Sequence, residues 1–249
     1  MCNACEDRSL PGFDRRHFLR GAAALAGGAV LAATGAVAAA DECAPFLAAD
    51  QSAVTPDQAI RMLADGNARF ASGASLHCDL PGQMKATAAE QTPFACVLSC
   101  IDSRAAPEHV FDQQIGDIFV ARVAGNVPTD EIIGSFEYAT KAAGAKAIVV
   151  LGHSHCGAVK GAVDRADIGA NLTVLLEAIE PAITATPLDG ERSSKNHPFG
   201  EAVAETNVRL AVTAMTANSP VIAALVAEGS LKVVGAIYDI ETGLVRFLS

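Results

Sequence analysis

A chain of 249 residues with 28 acidic against 18 basic side chains carries a formal charge of −10, and it contains no Trp. That balance excludes charge-driven binding to nucleic acid or to an anionic membrane, both of which need a basic face. A small or neutral substrate suits such a surface, and no repeat of fixed period is visible.

The first forty residues read as an export signal rather than as part of the fold. Arg15 and Arg16 are followed by Phe18, Leu19 and Arg20. A run of small apolar residues then ends in Ala38-x-Ala40, a small-x-small cleavage pattern. This resembles a twin-arginine signal, whose transporter carries folded proteins, so we expect a periplasmic or exported protein that meets the membrane only during export. The alternative use of such a run is an uncleaved anchor. Cys2 and Cys5 form a C-x-x-C ahead of the arginines and leave with the signal. From Asp41 onward 14 basic residues face 25 acidic ones, a net of −11. Residues 41–249 are long enough for one sizeable α/β core, and one domain is expected there.

Cys43 and Cys78 sit in polar or terminal stretches and can pair in an oxidising compartment. Thr55-Pro56-Asp57-Gln58 predicts a helix start, with Thr55 as cap and Gln58 at the reciprocal position; the helix runs to about Ala71 and Gly73 ends it. FACVLS (94–99), DIFVAR (117–122) and AKAIVVL (145–151) predict strands. The continuous apolar character of the first and third fits a parallel sheet covered on both faces. Helices are expected between them, over 107–114 and 130–143. Further helices are expected from Gly157, over 172–185, over 201–217 and from Pro220 to Glu228, with a polar loop TPLDGERSSKN before the third of these four. LKVVGAIYDI (231–240) and LVRFL (244–248) are strands whose short connection makes them antiparallel. The fold class is therefore α/β, with a mostly parallel central sheet of about four strands and one antiparallel edge strand, flanked by helices.

Ligands of open parallel sheets bind beyond the carboxyl ends of the strands. Cys100-Ile101-Asp102-Ser103-Arg104 follows one strand and His153-Ser154-His155-Cys156 follows another. Cys100, His153 and Cys156 make a Cys2His set for Zn2+ with a fourth position open, as catalytic zinc requires. His155, adjacent to Cys156, diverges to the pocket rim, and Cys96 lies deeper in the core. Arg104 can hold Asp102 ionised, and Asp102 can orient a nucleophile on the open side of the metal. Asp102 could also ligate zinc itself in a resting state. Because two thiolates cancel the metal's charge, other groups must compensate if bound water is to ionise near neutrality.

CIDSRAAPEHVFDQQIGDIFVARVAGN, GSFEYA and VVLGHSHCGAV together resemble a β-class carbonic anhydrase, and GSLKVVGAIYDIETGLV is similar to that family's last strands. The pairing of C-x-D-x-R with H-x-x-C carries the resemblance. It implies Cys100, His153 and Cys156 as zinc ligands, Asp102 and Arg104 as the catalytic dyad, and hydration of CO2 to bicarbonate and a proton by zinc-bound hydroxide. It also implies a homodimer or homotetramer. Gly125 and Asn126 match the family, whereas Val123 stands where many relatives carry Asn. Val97 and Ser99 replace the Trp and Gly of a bicarbonate-inhibited subgroup. His109 and His155 are the candidate proton shuttles. Two other readings use the same site: hydrolysis of COS or CS2, and a non-catalytic zinc- or bicarbonate-binding protein.

Overall fold

The computed structural model describes residues 43–187 and 190–248. The expected export signal, with Cys2 and Cys5, lies outside them, as do Leu188 and Asp189 of the polar loop.

The chain enters through a short helix α1 (Ala48–Ala53) and then α2 (Pro56–Ser72). Thr55 and Gln58 cap α2 reciprocally: the Gln58 amide donates to Thr55 Oγ1 at 3.3 Å and the Thr55 amide to Gln58 Oε1 at 2.8 Å. Gly73, at φ 73°, ends it. A further short helix, α3 (Leu80–Ala86), was not anticipated, nor was α1; both are under two turns and carry no amphipathic period to read. Cys43, ahead of α1, and Cys78, just before α3, are joined as a disulfide.

Strands β1 (Ala95–Ser99), β2 (Ile118–Arg122), β3 (Ala147–His153), β4 (Lys232–Tyr238) and β5 (Val245–Phe247) form one sheet in the order β2-β1-β3-β4-β5. The first four are parallel and β5 runs antiparallel at the edge. The strand order reverses at β1: its outgoing connection leads to β2 on one side while β3 lies on the other. That reversal opens a crevice at the carboxyl ends of β1 and β3.

Alternate residues of β1 and β3 supply the two faces. Ala95, Val97, Val149 and Leu151 pack with Ala59, Leu63 and Phe111 on one side. Cys96, Leu98, Ile148 and Val150 pack on the other, against Phe136 of α5 (Asp130–Glu137), Val208 and Met215 of α9 (His197–Ala217) and Ile222 of α10 (Pro220–Ala227). Cys96 is therefore a core residue, fully buried, and burial pushes its thiol up.

Several helices differ from expectation for local reasons. The helix after the first site loop, α4, covers only Pro107–Val110. The chain then turns through Asp112 at φ 48°, whose carboxylate accepts Arg69 Nε at 2.6 Å and the Leu76 amide. After Glu137 the helix widens into a π turn over Tyr138–Ala142. The stretch expected as one helix over 172–185 is two, α7 (Ala170–Glu177) and α8 (Glu180–Ala185), because Pro181 lacks an amide and sits in the first turn of the second. Conversely α9 starts a turn early, at His197, where Asn196 caps the Phe199 amide and Pro198 occupies the first turn.

Candidate metal centre

Two strand ends place the cluster. Cys100 is the first residue after β1, and His153 is the last residue of β3, one strand over. Cys156 follows through a tight turn and precedes helix α6 (Gly157–Val163). The turn places His155 in the left-handed region, at φ 56°. The ligand-bearing atoms of Cys100, His153 and Cys156 lie within 4.8 Å of one another, and all three residues are buried.

Cys100 Sγ and Cys156 Sγ are 4.0 Å apart. Two sulfurs on a tetrahedral zinc at its usual bond length would stand about 3.8 Å apart, so the spacing needs almost no adjustment. His153 is the third donor: Nδ1 is 2.9 Å from the Ser154 carbonyl, to which it donates in the tautomer that leaves Nε2 a bare lone pair. His153 Nε2 is buried without a hydrogen-bond partner. A buried imidazole nitrogen facing two sulfurs is satisfied by a soft or borderline cation, and the set fits zinc.

Contact between Cys100 and Cys156 pushes their acidities in opposite directions. The Cys156 contact holds the Cys100 thiol down; burial opposes this, while His153 and the amides of Asp102 and Gly125 add to it. Cys156 is pushed up by the same contact and by burial. Burial pulls His153 down, but the Cys100 contact and Asp102 charge raise it on balance.

Asp102 and Arg104 meet at the lip of the cluster. Arg104 Nε donates to Asp102 Oδ1 at 2.9 Å, Nη2 to Oδ2 at 2.7 Å, and the Arg104 amide to Oδ1 at 3.0 Å. The guanidinium fork, opposed by partial burial and helped by that amide, holds the carboxyl well below the usual carboxylate range. Asp102 Oδ2 is 3.9 Å from His153 Nε2. With its carboxylate gripped by Arg104, Asp102 borders the three-donor set without belonging to it.

The other expected residues fall elsewhere. His155 points to the rim, 3.3 Å from Glu241 Oε1, its ring 5.8 Å from that of His197, and its amide donates to Glu201 at 2.8 Å. His109 is exposed on α4. Val97 and Ser99 are fully buried within β1, and Ser99 Oγ donates to the Ala105 carbonyl, closing the site loop.

Three residues that the sequence did not single out for this role brace the centre. Arg122, at the end of β2, donates from Nε to the Cys100 carbonyl at 3.0 Å and from Nη2 to the Asp102 carbonyl at 2.6 Å. Gly125 donates its amide to Cys100 Sγ at 3.4 Å, and Asn207 of α9 donates to the Gly125 carbonyl. A lone Arg ending an apolar strand was the visible signal for the first. Nothing in the sequence ties Asn207 to a loop 82 residues away.

A Cys2His donor set with a carboxylate–guanidinium pair at its lip, on the switch point of a parallel sheet, defines a zinc-binding α/β protein of catalytic build. Residues 95–245 match the carbonic anhydrase family model. The chain is 36% identical over 195 residues to the carbonic anhydrase of Mycolicibacterium smegmatis, covering 78% of this chain and 94% of that one. Among solved structures it is similar to the β-carbonic anhydrase CafA of Aspergillus fumigatus, with a TM-score of 0.60, 27% identity and coverage of 68% of this chain and 81% of that one. It is likewise similar to tetrameric β-carbonic anhydrases of Sordaria macrospora, with a TM-score of 0.59, 28% identity and coverage of 68% and 87%. The chain belongs to the β-class carbonic anhydrase family.

Proposed function

We infer that this protein is a zinc enzyme catalysing the reversible hydration of CO2 to bicarbonate and a proton. The observation that carries the reading is the pairing of the three buried donors with the Arg104-held carboxylate at their edge. Cys100, His153 and Cys156 would hold the metal, which would supply a Lewis acid that makes water a nucleophile near neutral pH. Asp102, kept ionised by Arg104, accepts a hydrogen bond from the attacking water and turns a lone pair toward the substrate carbon. Arg104 fixes the carboxylate in one orientation, so little reorganisation is left for the reacting step. Arg122 holds the two carbonyls that flank Ile101 and so sets the distance between Cys100 and Asp102.

The enzyme is assigned to an oxidising, exported location, with a signal over residues 1–40 and a single zinc domain over 41–249. The twin arginines support this, and so does the Cys43–Cys78 disulfide, a bond that reducing compartments do not keep. Assembly as a dimer or tetramer is in keeping with the tetrameric relatives.

Purified mature protein should carry about one zinc per chain and acidify a CO2 solution in a stopped-flow assay. Zinc-loaded protein that is inactive on CO2 yet hydrolyses COS or CS2 would replace this reading. Cell fractionation of wild type and of an Arg15→Lys, Arg16→Lys variant tests export. Wild type in the cytoplasm with residues 1–40 attached would overturn it.

A further inference from the structure

We propose that Asn207 is a positioning residue for the metal centre, acting through Gly125 on the sulfur of Cys100. Asn207 projects from the middle of α9 and is buried, and its Nδ2 donates to the Gly125 carbonyl at 2.8 Å. Gly125 in turn donates its own amide to Cys100 Sγ at 3.4 Å. Donor and acceptor of Gly125 belong to successive peptide groups, so Asn207 does not polarise the N–H···S bond directly. It pins the residue so that the amide is aimed at sulfur.

Within the turn the Asn126 amide donates to the Val123 carbonyl at 2.9 Å, and the Gly125 carbonyl is met by Asn207. Gly125 lies in the left-handed region at φ 73°, and a Cβ there would stand 2.6 Å from Ile179 Cδ1, so no side chain can anchor it from that side. Removing the Asn207 amide leaves a buried carbonyl without its partner, and the turn must open or rotate to satisfy it.

The consequence for the metal follows from charge. Two thiolates neutralise a divalent ion and blunt its power as a Lewis acid. A backbone N–H on one thiolate withdraws part of the charge that sulfur would otherwise donate, and leaves the ion more electron-poor. Asn207 thereby supplies part of the compensation that a Cys2His centre needs. This deepens the zinc reading above and rests on it.

The test uses the mature protein with spin-active cadmium or with cobalt in place of zinc. In wild type carrying isotope-labelled glycine, the Gly125 amide should show scalar coupling to cadmium through the hydrogen bond to sulfur. In cobalt-loaded Asn207→Ala, the sulfur-to-metal charge-transfer bands should move to longer wavelength, because the sulfur becomes the better donor. Asn207→Gln keeps an amide donor and should move the bands back toward wild type. The alanine variant should also lose roughly 10-fold in kcat with KM little changed, a typical cost of losing an outer-shell contact.

Cadmium seated on Cys100, His153 and Cys156 with no coupling to Gly125 would overturn the proposal and leave the zinc reading intact. So would a cobalt spectrum unchanged in Asn207→Ala. If wild type takes up neither metal on those residues, the zinc reading falls and this proposal with it. If Asn207→Ala does not fold, Asn207→Leu, which fills the same space without an amide donor, takes its place: bands that stay at the wild-type position would overturn the proposal, and a shift to longer wavelength would uphold it.

Discussion

Arg104 holds both carboxylate oxygens of Asp102, and the oxygen it grips at 2.7 Å stands 3.9 Å from His153 Nε2. The carboxylate is thus committed to the guanidinium on one side while its edge faces the metal donors. Its side chain is 14% exposed and that of Arg104 is 53% exposed, so water reaches the pair from the Arg104 side.

Asp102→Asn keeps the size of the side chain and removes its charge. Zinc content should stay at wild type, because Asp102 is outside the donor set, while kcat falls by roughly 10²–10⁴-fold, the range for losing a positioned acid–base group. Arg104→Lys retains a cation but loses the two-pronged grip, and should fall between wild type and Asp102→Asn. Stopped-flow CO2 hydration alongside metal analysis checks both. Wild-type turnover in Asp102→Asn would remove the dyad from the mechanism.

The donor assignment separates neighbouring residues sharply. Cys156→Ser and His153→Ala should lose zinc, whereas His155→Ala should keep it, since that ring faces Glu241 and His197 rather than the sulfurs. Because the ion binds the folded protein, a strong chelator should lower Tm and added zinc should restore it; at a free metal concentration about 100 times Kd the linkage is worth about 2.7 kcal/mol. Loss of zinc in His155→Ala, measured by atomic absorption, would contradict the geometry.

How much of this was legible in advance follows from the range of each interaction. FACVLS and AIVVL announced buried parallel strands because their apolar runs are continuous, and C-x-D-x-R and H-x-x-C announced the site because each motif is local to one strand end. Thr55 and Gln58 marked a helix start because a cap is a four-residue event. The break at Pro181 was also local, and giving its missing amide more weight than the apolar period would have placed it. Asn207 and Gly125 could not be joined, since their contact exists only once α9 has packed against the sheet. Arg122 shows the same limit: its strand was read correctly, but only the register of β2 against β1, Arg122 opposite Ser99, reveals which carbonyls it reaches.

Asp117 offers a pH test away from the metal. Burial raises its carboxyl, and the Gln114 amide that donates to Oδ2 at 2.7 Å only partly offsets this. A carboxyl raised in the folded state opposes folding when ionised, and the penalty disappears once pH falls below the unfolded value. Asp117→Asn keeps an acceptor for Gln114 and removes the charge. The variant should therefore be more stable than wild type at neutral pH, and the two should converge below about pH 4, where the unfolded carboxyl is protonated as well. Denaturant unfolding across that range checks it. A gap that stays constant with pH would show that Asp117 is not the source.

The disulfide ties the start of the described chain to the loop before α3, across a separation of 35 residues. In the chain-entropy model a loop of that length is worth about 3–4 kcal/mol to the folded state. The arm has other anchors. Gln51 Nε2 donates to the Pro93 and Ala143 carbonyls at 2.7 Å each, Thr92 Oγ1 donates to the Phe46 carbonyl, and the Phe46 and Phe94 rings meet edge-on at 5.4 Å. These contacts should keep the arm docked after the bond is cut, so the paired Cys43→Ser, Cys78→Ser variant should fold and bind zinc. It should lose stability mainly through a less constrained unfolded state. Urea titration of the variant, preferable to adding a thiol reductant that would compete for zinc, should show a lower midpoint with activity in native buffer unchanged. Equal midpoints would mean that the arm's polar and aromatic contacts alone hold it, and that the bond adds nothing to folding.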